Sequence, residues 1–232
     1  MKLTAEEIAR LIDISAVRAQ HGESEIRAMV ESAKQYRFCA VHVLPCWMPL
    51  LRELLEGSPH ILAGAPVGFP SGAHRTEIKI AEARALIADG VQEMDVMLNV
   101  GKLRSGDRHY VEDEIRAIVE TAGKVPVKVI IEAPLLNHDE ILAACDICVE
   151  AGASFIKTST GWIADGSTLP IILLIKSHVG QAINIKAAGG IRDVQTIVEM
   201  YRLGVARFGI NLHTAVQIVS AVSAMPGSAI EV

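Results

Sequence analysis

Eight short apolar runs recur along the 232 residues, their starts about 22 to 35 residues apart. They are Leu11–Ser15, Cys39–Val43, Ile61–Val67, Gln92–Met97, Val127–Glu132, Ser154–Thr158, Ile183–Lys186 and Ala206–Ile210. Parallel strands need a connection of a dozen or more residues, usually a helix, so each interval fits one β–α unit. Helical patterns fill the intervals. One covers Glu23–Tyr36; another covers Thr76–Asp89, with Ile78, Ala81, Ala85 and Ala88 on its apolar face. Thr4-x-x-Glu7 and Asn137-x-x-Glu140 read as capping boxes. Gly90, Gly123, Gly152, Gly180 and Gly204 stand where helices should stop. Eight such units in one chain of this length predict a (β/α)8 TIM barrel, a single domain over 1–232 with a short N-terminal helix. A doubly wound open sheet is the alternative, but no G-x-G-x-x-G follows the first strand.

Composition narrows the function classes. Half the residues are hydrophobic and only 4% aromatic, which suits helices on a buried sheet better than a sandwich or an RNA-binding face. The net charge is −5 with no Lys/Arg run, so no nucleic-acid partner is expected. No stretch approaches the ~18 apolar residues of a membrane span, and MKLTAEEIARLI lacks the apolar core of a signal peptide. Cys39, Cys46, Cys145 and Cys148 are expected as reduced thiols in a cytoplasmic protein. Cys145-x-x-Cys148 has redox spacing but falls inside a helical pattern. The histidines show no HxH or HExxH spacing, so no metal site is expected.

In a barrel the chemistry sits at the C-terminal strand ends, and phosphate often binds after the seventh and eighth strands. Three strand ends carry ionisable residues: Asp95 in Met94–Leu98, Lys157 after Phe155-Ile156, and Lys186 after Asn184-Ile185. A lysine in a barrel mouth is costly to desolvate, so it is paired or its pKa falls. A second cation beside it favours the neutral amine that attacks a carbonyl. Two such lysines with an aspartate across the barrel suit a Schiff-base aldolase, although a buried Asp–Lys pair can also be purely structural.

Phe155-Ile-Lys157-Thr-Ser-Thr-Gly161, Lys186-Ala-Ala-Gly-Gly-Ile-Arg192 and Glu93-Met-Asp95-Val resemble the signatures of the deoxyribose-phosphate aldolase family. Val67-Gly-Phe-Pro70-Ser-Gly72, Thr76-x-x-Lys79-x-x-Glu82 and Val127-Lys-Val-Ile-Ile-Glu132 extend the resemblance from Asp13 to Gly209. It implies a class I aldolase cleaving 2-deoxy-D-ribose 5-phosphate to acetaldehyde and D-glyceraldehyde 3-phosphate, without cofactor, as a monomer or homodimer. Lys157 would be the nucleophile, Lys186 the perturbing cation and Asp95 the proton relay. Asp13, Ser15, Lys128 and Thr158 would contact the sugar; His42, standing where the family has Cys, is either an inert barrel-lining residue or an added acid/base or hydroxyl contact. Gly161, Gly189, Gly190, Arg192, Gly209 and Asn211 would hold the phosphate.

Three departures stand against the family pattern. His42 and Leu44 replace the Cys and Asn of a V-C-V-N-P stretch. Gly209-Ile210-Asn211-Leu212 replaces a G-x-S-S turn whose hydroxyls hold phosphate, a loss of about 3 to 6 kcal/mol if nothing compensates. The C-terminus lacks the tyrosine that many members carry as a proton shuttle. Two further readings therefore stand beside the first: the same chemistry on another, unphosphorylated aldol, and a catalytically idle sugar-binding barrel.

Overall fold

A computed structural model describes residues 1–162 and 166–232. Strands β2 (Ile12–Ala16), β3 (Ala40–Val43), β4 (Leu62–Val67), β5 (Glu93–Met97), β6 (Val127–Ile130), β7 (Phe155–Lys157), β8 (Asn184–Ala188) and β9 (Arg207–Ile210) form a closed parallel barrel, with β9 pairing back to β2. Each of the eight expected strands is present, with no end moved by more than two residues. The helices between them are α2 (Glu23–Tyr36), α3 (Met48–Leu54), α4 (Thr76–Ala88), α5 (Val100–Arg104), α6 (Arg108–Ala122), α7 (His138–Glu150), α8 (Leu169–Val179), α9 (Val194–Arg202) and α10 (Leu212–Ser223). Before the barrel come β1 (Lys2–Thr4) and α1 (Ala5–Ala9); β10 (Ala229–Glu231) closes the chain. The expected barrel is therefore the fold.

Local signals account for the element ends. The Thr4–Glu7 and Asn137–Glu140 capping boxes both form, at the starts of α1 and α7. The five punctuating glycines each lie at or just beyond a helix end. Strands β1 and β10 pair antiparallel, and Val232 N donates to Met1 O at 2.8 Å. This clasp feeds α1 and then the start of β2. The chain's last residue is therefore tied to the end of the barrel opposite its mouth.

The face of α4 is a correction. Ile78, Ala81, Ala85 and Ala88 are exposed; the buried face is Lys79, Ala83 and Leu86. Lys79 runs inward beneath Gly68 and donates to Met97 O at 2.8 Å and Glu114 Oε2 at 2.6 Å. A hydrophobic pattern misreads a helix whose inward anchor is a paired lysine. The same helix holds the loop after β4, because Glu82 accepts from Gly68 N at 2.7 Å.

Among the described residues, no helix is long and apolar enough to cross a membrane. Cys145 and Cys148 lie buried in α7, and burial pushes the Cys145 thiol up to about 12 and Cys148 well above its usual range. Thiols held protonated do not act as redox nucleophiles, so the C-x-x-C spacing is helix packing.

Candidate active site

Strand alternation points every second residue into the barrel. The register sets Asp95 beside Lys128, Ile130 beside Lys157, and Lys157 beside Lys186. Lys186 in turn pairs with Arg207 on β9, and Asp13 of β2 pairs with Gly209. Closure thus gathers Asp13, Glu93, Asp95, Lys128, Lys157, Lys186 and Arg207 into one polar interior. Lys128 and Lys186 are almost completely buried, whereas the Lys157 side chain keeps 11% exposure at the cavity floor.

Asp95 Oδ2 is the shared acceptor. It receives Lys157 Nζ at 2.7 Å and Lys186 Nζ at 2.9 Å. Lys186 also reaches Asp13 Oδ2 at 2.7 Å, and Arg207 donates to Asp13 Oδ1 at 2.5 Å. Lys128 Nζ lies 2.5 Å from Glu93 Oε1. Burial favours the neutral form of Asp95, but Lys157 and Lys186 overcome it and hold the carboxyl well below its usual range. Asp13 is likewise held low against burial by Lys186, Lys128 and Arg207. Burial disfavours charge on Lys186 too, yet Asp13 and Asp95 outweigh it and raise its pKa.

Lys157 goes the other way. Burial lowers its pKa, and the Lys186 charge adds to the drop against the opposing pull of Asp95. Desolvation is the largest cause, as expected of a lysine in a barrel mouth, and the second cation adds to it. Four basic side chains face three carboxylates in this interior. Loss of one proton balances the set, and Lys157 is the amine whose pKa falls at the cavity.

His42 reaches across β4 to the same cluster, with Nε2 at 3.3 Å from Glu93 Oε1 and 3.4 Å from Asp95 Oδ1. Burial and the Lys186 charge lower its pKa, so the ring is neutral. Asp13, His42 and Glu93 approach one another within 4.8 Å, close enough for a metal. Their carboxylates already face Lys186, Arg207 and Lys128, whose charges take the place of a cation.

Above this floor opens a cavity of about 420 Å³. Of the residues expected at the sugar, Asp13, Ser15 and His42 line it. Lys128 lies beneath the floor against Glu93 and does not reach the cavity. Thr158 also does not line it: its hydroxyl meets Ser167 Oγ and receives Ala188 N at 3.0 Å. Ser159 Oγ donates to Ala188 O at 2.6 Å, so these two hydroxyls lash the end of β7 to the end of β8. Thr158 follows the inward-facing Lys157, so alternation alone would have turned it away from the cavity.

Of the residues expected at a phosphate, Gly161, Gly189, Gly190, Arg192, Gly209 and Asn211 all line the cavity. Gly189 has φ of 83°, and a Cβ there would meet Ser159 Oγ at 2.7 Å, so this close turn needs glycine. The Gly189-Gly190 pair precedes α9 by several residues, and Asp193 caps that helix, so these amides are not its N-terminus. Asn211 caps α10: its Oδ1 accepts Thr214 N and its Nδ2 donates to Thr214 Oγ1, both at 3.0 Å. The cap uses its oxygen and one of its two Nδ2 hydrogens.

Sequence reasoning named Glu93 only within a motif and missed Arg207, Arg18, His21 and Trp162. Period-2 alternation from Asp95 back to Glu93 would have found the first. Arg207 needed the strand order, and the other three needed the loops placed over the mouth.

A primary amine of lowered pKa at a cavity floor, with a carboxylate and a second ammonium beside it, can add to a carbonyl and move the protons that follow. Carried on a (β/α)8 barrel, this defines a lysine-dependent lyase of the aldolase class. The chain belongs to the DeoC/LacD family of aldolases, which it matches over residues 13–209. It is 50% identical over 230 residues to a deoxyribose-phosphate aldolase of Sinorhizobium medicae, covering 99% of this chain and 93% of that one. The solved structure of QR15, an aldolase, superposes with a TM-score of 0.87 at 34% identity, covering 93% of this chain and 95% of that one. A deoxyribose phosphate aldolase from Aeropyrum pernix, described as tetrameric, gives 0.87 at 27% identity over 95% and 93%.

Proposed function

We propose that this chain catalyses reversible cleavage of 2-deoxy-D-ribose 5-phosphate to acetaldehyde and D-glyceraldehyde 3-phosphate. The observation that carries the reading is Lys157, an amine of lowered pKa, open to the cavity and sharing Asp95 Oδ2 with Lys186. The relatives' names support the substrate. Lys157 adds to the C1 aldehyde and loses water to give an iminium. A base removes the proton of the C3 hydroxyl, the C2–C3 bond breaks, and its electrons pass to the iminium nitrogen. D-glyceraldehyde 3-phosphate leaves. The enamine takes a proton at its terminal carbon, and water releases acetaldehyde. Asp95 and Lys186 move these protons through water, while Asp13, Ser15 and His42 face the hydroxyls. Lys128 acts from below by holding Glu93, and Thr158 by holding the strand ends. Gly161, Gly189, Gly190, Gly209 and Arg192 receive the phosphate. The reading includes a cytoplasmic enzyme that is a monomer or homodimer and uses no cofactor.

The decisive experiment compares kcat/KM for 2-deoxyribose 5-phosphate and 2-deoxyribose. A preference of about 100-fold or more for the phosphorylated sugar is expected; equal rates overturn the phosphate assignment. One observation favours the second reading, an unphosphorylated aldol. Asn211 gives its Oδ1 and one Nδ2 hydrogen to its helix and Leu212 has no donor, so at most one side-chain N–H stands where a hydroxyl pair is expected.

A further inference from the structure

The rim of the cavity carries cations that the floor does not use. Arg18, in the segment after β2, lines the cavity together with Arg192 in the segment after β8. Among the described residues, no carboxylate lies within ion-pair distance of either arginine. The cavity's described acids, Asp13 and Asp95, lie at the floor and already face Lys157, Lys186 and Arg207. The described charged side chains at the rim are therefore all basic.

Arg18 is exposed, yet it is held. Its Nη2 donates to Gly161 O at 2.9 Å, and its guanidinium carbon lies 5.3 Å from the centre of the Trp162 ring. Trp162 is in turn braced edge-on by Phe69, with ring centroids 5.3 Å apart. Its backbone N–H is received by Thr160 Oγ1 at 3.0 Å. A guanidinium carries five N–H donors in a fixed plane, and one bond to Gly161 O leaves the others for a ligand. Stacking on an aromatic face and one backbone bond remove much of the freedom an exposed arginine otherwise keeps. Planar, pre-set donors of this kind suit a tetrahedral oxyanion.

We propose that Arg18, positioned by Trp162, is the specificity-determining contact for the anionic end of the substrate, and supplies the charge that the missing hydroxyl pair does not. The inference rests on the reading that the substrate carries a phosphate. Gly189 and Gly190 present backbone to the anion from one side, Arg192 stands beside them, and Arg18 closes the site from the β2 side. Trp162 follows directly on Gly161, so the same turn that reaches the cavity also sets the arginine.

The test uses the full-length enzyme and its Arg18→Met, Arg18→Lys and Trp162→Leu variants. In Arg18→Met, the preference for 2-deoxyribose 5-phosphate over 2-deoxyribose, taken as a ratio of kcat/KM, should fall about 10- to 100-fold. The fall should appear in KM for the phosphorylated sugar rather than in kcat. Inhibition by inorganic phosphate should weaken by a similar factor. Arg18→Lys should recover part of both, and Trp162→Leu should fall between wild type and Arg18→Met. A wild type that prefers the phosphorylated sugar, with an Arg18→Met variant that keeps the preference, overturns the role of Arg18 and leaves the proposed reaction standing. A wild type indifferent to the phosphate and uninhibited by inorganic phosphate overturns both. If wild type cleaves neither sugar, calorimetry with inorganic phosphate decides: binding weakened by Arg18→Met supports the contact, and equal binding overturns it.

Discussion

The imidazole of His42 occupies the space that any side chain at Gly64 would need: a Cβ there would lie 2.4 Å from Nε2. The two residues are register partners on β3 and β4. Only a bare backbone at 64 lets the ring pass over β4 to Glu93 and Asp95 on β5. Gly64→Ala should therefore destabilise the barrel by about 1 to 3 kcal/mol, the cost of overpacking a filled interior. In a His42→Cys background the same change should cost much less. Urea unfolding of the four proteins gives the coupling, and equal costs in both backgrounds would show that the ring does not need the gap.

Covalent chemistry at Lys157 can be read directly. Acetaldehyde with borohydride should reduce an imine on the enzyme and leave added mass on the peptide containing Lys157. Lys157→Ala should abolish the adduct although Lys186 remains. Undiminished labelling in that variant would move the nucleophile elsewhere.

Removing the neighbouring cation should move the pH profile. Lys186 is held charged by Asp13 and Asp95, and its charge helps to lower the Lys157 pKa. Without it, Asp95 pulls Lys157 towards the ammonium form, so the amine becomes neutral only at higher pH. Lys186→Leu should shift the onset of activity to more basic pH and cut the neutral-pH rate at least ~100-fold. A profile with an unmoved onset would mean that Lys186 is structural.

Acid should weaken the fold in two steps. The His42 ring is buried with a pKa below its ordinary 6.5, so below that pH the unfolded chain binds a proton that the native state refuses. Its contribution is therefore complete above about 6.5 and declines as pH falls, with a slope of up to about 1.4 kcal/mol per pH unit. Asp13 and Asp95 have lowered pKa values, so their stabilisation is full above the usual 3.8 and is lost only below it. Between pH 6.5 and 4.5 the slope of unfolding free energy should be shallower in His42→Gln than in wild type. Identical slopes would mean that the ring protonates freely in the folded state.

Breaking the buried pair behind the barrel should cost more than any surface charge. Lys79→Met leaves Glu114 buried without its 2.6 Å partner, a change worth about 3 to 5 kcal/mol. Adding Glu114→Leu should restore most of the loss in a thermal melt, because the uncompensated charge is what destabilises.

The sequence by itself determined the number of β–α units, the order of the strands along the chain, the helix ends and the ionisable residues Asp95, Lys157 and Lys186 in apolar strands, although Asp95 and Lys186 lie mid-strand and only Lys157 ends one. Each depends on local chemistry: periodicity, capping residues, glycine stops, and an ionisable residue in an apolar run. The tertiary structure decided which of these groups meet and which way the ambiguous ones face. Arg207 and Asp13 are 194 residues apart and touch only because β9 closes onto β2. Helix α4 turns its alanine face outward because the Lys79 ammonium has a carboxylate and a carbonyl waiting inside, a pairing that no hydrophobic pattern encodes. Thr158 has a hydroxyl suited to a ligand, yet spends it on Ala188, and Asn211 gives its oxygen and one amide hydrogen to Thr214, which lies nearer. A sequence fixes which polar atoms a chain owns. Their partners follow from distance and burial, and those exist only once the barrel has closed.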